Sequence, residues 1–300
     1  IRAARALTGR EHIVATGYHG YHDWYIASTE LRKGVPLLHR ELIHPVAFGD
    51  LAALDAELTR LDGDVAAVIM EIPATAPPEG YLQAAIDLTH RHGALFVLDE
   101  IVTGFRYALG GAQELFGVLP DLACFGKGMA NGYPLAAVVG SDEAMSAFDE
   151  IFFSMTYSGE TVSLAAARAT LGVLRGGPVL ERIWETGRAL RAGLLELGTH
   201  AAFELQLVGN PPRSAMTFAL EAGAEPHELL RAIFLQETHK RGVLFGVPIF
   251  PTLAHSDDDV RDTLAAVAAA FELMDRACAA GDFESQLEGL APGSVFRRKH

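Results

Sequence analysis

The run Val65-Ala66-Ala67-Val68-Ile69-Met70-Glu71 and the run Leu95-Phe96-Val97-Leu98-Asp99 decide the fold. Each is apolar without alternation, and each ends in a carboxylate. Between them Leu82, Ala85, Ile86 and Leu88 recur at helical spacing from about Tyr81 to His92, and Gly93 stops the pattern. Strand, helix, strand with fully apolar strands implies parallel neighbours buried on both faces. Shorter runs at Leu122–Phe125 and Ala136–Val139 extend the same sheet. Ligands of such sheets gather at the carboxyl ends of the strands, where Glu71, Asp99 and Lys127 fall.

A second region opens after Gly176-Gly177-Pro178 with an amphipathic helix from about Val179 to Leu197. Strands at Phe203–Val208 and Met216–Leu220 follow, then a helix from about Pro226 to Arg241. The last helix, roughly Asp257 to Ala280, carries Val260, Leu264, Val267, Phe271 and Met274 on one stripe, with Ser256 as its N-cap. The expectation is an α/β chain in two domains. Residues 1–177 form a large doubly wound domain, and residues 178–300, including the connecting helix, a smaller α+β domain. No internal repeat, low-complexity tract or flexible linker interrupts them.

The chain has 300 residues, of which 50% are apolar and 21% charged, enough for a large core. Its net charge of -14 argues against nucleic acid or an anionic membrane surface as partner, because tracking phosphates needs clustered Lys and Arg. Cys124 and Cys278 lack any C-x-x-C spacing, so neither a zinc ribbon nor a disulfide framework is indicated, and a cytoplasmic location is expected. No apolar run approaches the ~18 residues of a membrane span.

A lysine that attacks an aldehyde must be deprotonated, and a site lined by apolar groups and glycines favours the neutral amine. Of the four lysines, Lys33, Lys240 and Lys299 sit in polar or charged stretches and read as solvated. Lys127 alone lies between an apolar strand and the small-residue turn Gly128-Met129-Ala130-Asn131-Gly132. Taken singly it reads equally as a surface lysine in a glycine-rich loop, and Asp99 as a helix cap or metal ligand. As a pair they point to pyridoxal-phosphate chemistry, in which a buried carboxylate keeps a pyridine nitrogen protonated and the ring becomes an electron sink.

The segments Asp99-Glu100-Ile101-Val102-Thr103-Gly104-Phe105-Arg106, Gly110-Gly111-Ala112-Gln113, Pro120-Asp121-Leu122 and Gly126-Lys127-Gly128 resemble class III pyridoxal-phosphate aminotransferases of fold type I. The likeness is greatest to the glutamate-1-semialdehyde aminomutase branch. It is dense from about Gly17 to Arg175 and looser to the C-terminus. The resemblance implies that Lys127 forms the imine with pyridoxal 5'-phosphate, that Asp99 pairs with the pyridine nitrogen and that Ile101 packs against the ring. It implies that Tyr18, in Gly17-Tyr18-His19-Gly20, stacks on the other face, with His19 as a hydrogen-bonding neighbour of the cofactor. Thr156, in Thr156-Tyr157-Ser158-Gly159, would reach the cofactor phosphate of a second subunit, which implies a homodimer with shared sites. Glu71 resembles the acid of the family's Glu-Pro motif, although Ile72 displaces the proline.

The implied activity is transfer of an amino group between an amine or amino acid and a keto or aldehyde acceptor. An intramolecular aminomutase or a racemase would use the same pair of residues. Family members also carry a phosphate-cradling loop at a helix N-terminus ahead of the Ala4–Arg10 match. No equivalent precedes it here, and with Ile1 as first residue the expectation is a partial chain, for which a non-catalytic fragment is a further alternative. Arg106 and Arg213 are candidate carboxylate clamps, since arginine offers a two-pronged donor. His19, His22 and Asp23 have metal-like spacing, but Gly17 and Gly20 oppose the helix that would align them, so no metal is expected. Neither a G-x-S-x-G elbow nor a G-x-G-x-x-G fingerprint occurs.

Overall fold

The computed structural model describes residues 1–225, 227–246 and 248–289. The described chain forms two compact units. The first gathers residues 1–73 and 77–177, and the second gathers residues 74–76 and the described chain from Pro178 onward.

The first unit runs α1 (Arg2–Thr8), β1 (His12–Thr16), α2 (Asp23–Ile26), α3 (Leu37–Glu41), β2 (Ile43–Pro45), α4 (Leu51–Arg60), β3 (Val65–Glu71), α5 (Tyr81–Arg91), β4 (Leu95–Asp99), α6 (Ala112–Phe116), β5 (Leu122–Phe125), β6 (Ala137–Gly140), α7 (Asp142–Ser146) and α8 (Thr161–Gly176). Its sheet has the order β2-β1-β3-β4-β5-β6. Every neighbouring pair is parallel except β5 with β6, which is antiparallel. The run near Ala136 thus extends the sheet with reversed direction, a property that a short apolar run does not encode.

Alternate residues of each strand feed opposite cores, the consequence of the two-residue period. Val68, Met70, Phe96 and Leu98 pack with Leu54 and Leu58 of α4 and Leu82 and Ile86 of α5. Ala67, Ile69, Val97 and Leu122 turn to the other face, with Ala4 of α1, Tyr25 of α2 and Ala144 of α7. The sheet is therefore wound on both sides, which explains the unbroken apolar runs at β3 and β4.

The second unit consists of α9 (Val179–Gly198), the antiparallel pair β7 (Glu204–Asn210) and β8 (Arg213–Ala219), α10 (Glu228–Lys240) and α11 (Asp257–Ala280). Its core interlocks Phe203, Phe218, Phe234 and Phe271, with Phe203 edge-on to both Phe218 and Phe271. Helix α10 begins two residues later than the pattern predicts, with His227 accepting from the Leu230 amide, while Pro226 lies outside the described residues. Ser256 caps α11 as expected and forms a reciprocal box with Asp259. Lys240 is not simply solvated: it pairs with Glu237 and Glu288. Lys299 lies outside the described residues.

Candidate active site

Strands β3, β4 and β5 end side by side, with Glu71 in register with Asp99 and Asp99 in register with Cys124. Asp99 is buried there, and two partners anchor its carboxylate. The Ile101 amide donates to Oδ1 at 3.1 Å, and His19 Nδ1 lies 2.8 Å from Oδ2. A carboxylate oxygen only accepts, so Nδ1 is the donor. His19 Nε2 faces the Thr16 carbonyl at 3.1 Å, and the imidazole is almost wholly enclosed. The end of β4 is thus tied to the end of β1 across the intervening β3. Beside Asp99, burial and the aspartate's charge push the Cys124 thiol up to about 11.

Glu71 serves the turn that carries Tyr18 and His19. Its Oε2 accepts from the Tyr18 amide at 3.2 Å. Gly17, at φ +99°, sits so close to the end of β3 that an added Cβ would stand 2.7 Å from the Glu71 Cβ. From the other side the Tyr25 hydroxyl donates to the Gly17 carbonyl at 2.6 Å. Tyr18 itself is half exposed, edge-on to Tyr25.

Lys127 follows β5 and opens the 3₁₀ turn Lys127–Met129 at φ +40°, a left-handed conformation that side chains with a Cβ rarely adopt. At Gly126, immediately before it, an added Cβ would come 2.9 Å from Ile101 Cδ1, so the end of the Ile101 side chain would have to shift. The Ile101 side chain thus lies over Gly126, while its amide is tied to Asp99. One expectation fails: Lys127 is not enclosed by apolar groups but exposed. Its two neighbours are glycines, which permit the turn and provide nothing to cover the amine.

Asp99, His19, Ile101 and Lys127 are thus brought to one end of the sheet, with Tyr18 and Glu71 beside them. Thr156 lies outside this group, exposed in the turn of residues 156–159 that leads into α8. Arg106 is half-buried in the loop after β4, and Arg213 is buried on β8 of the second unit. Among the described residues no group of three His, Cys, Asp or Glu side chains could hold a metal.

Two residues of this region escape sequence reasoning. Tyr25 reads as one more aromatic in a crowded run. Glu100 reads as the end of a strand, yet it is fully buried and accepts from the Thr103 hydroxyl, from the Ala112 amide at 2.9 Å and from the Gln113 amide at 2.8 Å. It thereby fixes both ends of the loop between Asp99 and α6. Burial raises its carboxyl above the usual range, against the lowering effect of those three donors.

The donor set is specific. A buried, doubly anchored carboxylate suits a cationic ring nitrogen, a primary amine one strand away suits an aldehyde, and the apolar Ile101 is near both strand ends.

The family model described as Aminotransferase class-III matches residues 4–271. The chain is 34% identical to 3-aminobutyryl-CoA aminotransferase of Cloacimonas acidaminovorans, over 89% of this chain and 66% of that protein. It is 31% identical to glutamate-1-semialdehyde 2,1-aminomutase of Halorubrum lacusprofundi, over 89% of this chain and 72% of that protein. The FumI protein of Sphingopyxis sp. MTA144, solved in its PLP internal aldimine form, superposes with a TM-score of 0.85 at 31% identity, covering 93% of this chain and 68% of that one. The chain spans about two thirds of the length of these relatives.

Proposed function

Since this chain belongs to the class III aminotransferase family and has its fold type I architecture, we propose that it transfers an amino group between an amine or amino acid and a keto or aldehyde acceptor, with pyridoxal phosphate as cofactor. The family's cofactor fits the residues present. When bound, it supplies an aldehyde for the substrate amine and a protonated pyridine ring that draws off the electron pair left when the α-proton departs.

The observation that carries this reading is the pairing, at adjacent strand ends, of an anchored Asp99 with Lys127 in a left-handed turn. Backbone strain held at a strand end marks a residue placed for its side chain. Lys127 would supply the amine that holds the aldehyde, and its Nζ, freed by the substrate amine, would take the proton from the substrate α-carbon and return it. Asp99 would keep a proton on the pyridine nitrogen, using lone pairs not taken by His19 and Ile101. Ile101 supports one face of the ring and Tyr18 the other. Glu71 keeps the Tyr18 backbone in place. Thr156 contributes to the phosphate site of a second copy, so the working form is a homodimer with shared sites. Small molecules are its substrates. No described helix is long and apolar enough to cross a membrane. A cytoplasmic location remains our reading from the two cysteines, which lie far apart in sequence.

Borohydride reduction of the cofactor-loaded chain followed by peptide mapping tests the assignment. Label is expected on Lys127 and absent in Lys127→Ala, which also loses multiple turnover; label on another lysine, or steady-state transamination by Lys127→Ala, would overturn it. The 31% identity to an aminomutase supports a second reading, the intramolecular amino shift. Omitting the keto acceptor separates the two, because a transaminase halts after one half reaction and an aminomutase or racemase continues.

A further inference from the structure

We propose that Tyr25 is a positioning residue for the cofactor site, setting the Gly17–His19 turn through its hydroxyl and the His19–Asp99 pair through its ring. The proposal rests on the pyridoxal-phosphate reading only for its consequence, since the contacts themselves belong to this chain.

Tyr25 lies in α2 and is buried, in the core face that includes Ile13 and Ile43. Its hydroxyl donates to the Gly17 carbonyl at 2.6 Å while Glu71 accepts from the Tyr18 amide at 3.2 Å. One peptide unit is therefore gripped at its oxygen by α2 and at its nitrogen by the end of β3, which leaves the turn little freedom. Burial, followed by the charges of Glu71 and Tyr18, raises the phenol above its usual range, so the group stays a donor.

The ring does separate work. Its centroid is 5.6 Å from Tyr18 at an interplanar angle of 89° and 5.2 Å from His19 at 83°. Edge-to-face contact of this kind is favourable and directional. One buried side chain thus meets both residues that the turn offers to the site. Trp24, stacked at 22° on the imidazole 6.1 Å away, adds a second wall for His19. With the ring of Tyr25 present, the imidazole has one orientation that places Nδ1 on Asp99 and Nε2 on the Thr16 carbonyl. Without it the imidazole has space to rotate away from the carboxylate.

A merely structural tyrosine would change only the stability of the unit, and this separates the two roles. In the full chain, without cofactor, nitrogen-15 NMR of the histidine rings reads the His19 Nδ1–H signal, assigned by its loss in His19→Gln, and the Tyr18 amide reads the bond at the Gly17 carbonyl. Tyr25→Phe should move the Tyr18 amide and keep the His19 signal. Tyr25→Leu should abolish the His19 signal. In a pyridoxal phosphate titration followed by visible absorbance, Tyr25→Phe should bind a few-fold more weakly and Tyr25→Leu about tenfold or more, by analogy with the loss on removing the outer partners of metal ligands. A Leu variant that retains the His19 signal, or a Phe variant with an unmoved Tyr18 amide, overturns the proposal. Should the wild-type chain show both NMR signals yet take up no pyridoxal phosphate, the cofactor reading falls, while the two NMR comparisons still decide the role of Tyr25.

Discussion

Lys127 holds a backbone conformation that a glycine would adopt without penalty, with glycines available on both sides of it. A left-handed residue with a Cβ costs about 1–2 kcal/mol, so the amine is retained here against stability. Lys127→Gly should therefore be more stable than Lys127→Ala by about 1 kcal/mol in urea unfolding, with neither variant labelled by borohydride. Equal stabilities would show that the turn carries no strain. The strand-end positions of Asp99 and Lys127 could be read from the sequence because each follows an apolar run. The bond from His19 to Asp99 could not, since it spans 80 residues and depends on β1 and β4 flanking β3. Glu100 was hidden for a similar reason: its partners Ala112 and Gln113 are backbone amides and leave no trace in side-chain chemistry. Removing its carboxylate in Glu100→Ala strands two buried donors and one part-buried donor and should destabilise the chain by about 3 kcal/mol. Its raised carboxyl sets the sign of a pH effect. The neutral form is favoured in the folded state, so this contribution is complete below the ordinary carboxylate value and is lost as pH rises through the higher folded value.

Elements differ in how much of themselves they announce. Helix α11 was legible from end to end, because its stripe is long and Ser256 with Asp259 makes a two-way cap. Ser256→Ala should lower stability by about 1 kcal/mol, measured by thermal unfolding. Strands β1 and β2 were not singled out by pattern: β2 has three residues and β1 opens on His12, so neither presents a run long enough to distinguish from a loop. Helix α10 contains a charge cluster whose consequence is visible only in the fold. Burial would push the Glu237 carboxyl up, but hydrogen bonds from Arg241, Lys240 and Gln236 prevail and hold it at about 2. A carboxyl lowered in the folded state contributes stability above its ordinary value near 4.5, and loses it as pH falls from there to about 2. Glu237→Gln should be less stable than wild type at neutral pH and should flatten the acid loss across that window, as chemical denaturation at a series of pH values will show. An unchanged acid limb would mean that the cluster contributes nothing to the folded state.

At the scale of the molecule, the stretch from Phe152 to Leu164 does not suit an isolated chain. Phe152 is 80% exposed and Tyr157 79%, with Phe153, Met155, Val162 and Leu164 exposed beside them in sequence. Next to it a cavity of about 700 Å³ opens between α8 and the Met129–Ala137 segment, with Leu164, Leu171, Arg168 and Arg175 among its lining. Large apolar side chains left exposed together in one stretch mark an interface more often than a free face, and Thr156 lies within that stretch. A two-fold partner would meet the same stretch on both chains. The net charge of -14 on each copy opposes association, so salt should tighten the dimer. Sedimentation should show a dimer that Phe152→Asp combined with Val162→Asp converts to monomer. Sharing of sites makes a stricter demand. Neither Lys127→Ala nor Thr156→Ala alone should hold the cofactor normally, the first for want of the amine and the second through a weakened phosphate contact. Mixed after dissociation, they form dimers in which one site draws Lys127 from the Thr156→Ala chain and Thr156 from the Lys127→Ala chain. That site is intact, and borohydride labelling at limiting pyridoxal phosphate should recover in the mixture and in neither parent. Recovery absent from a mixture proven to contain mixed dimers would place Thr156 and Lys127 in the same chain's site, and the shared-site reading would fail while the dimer itself stood.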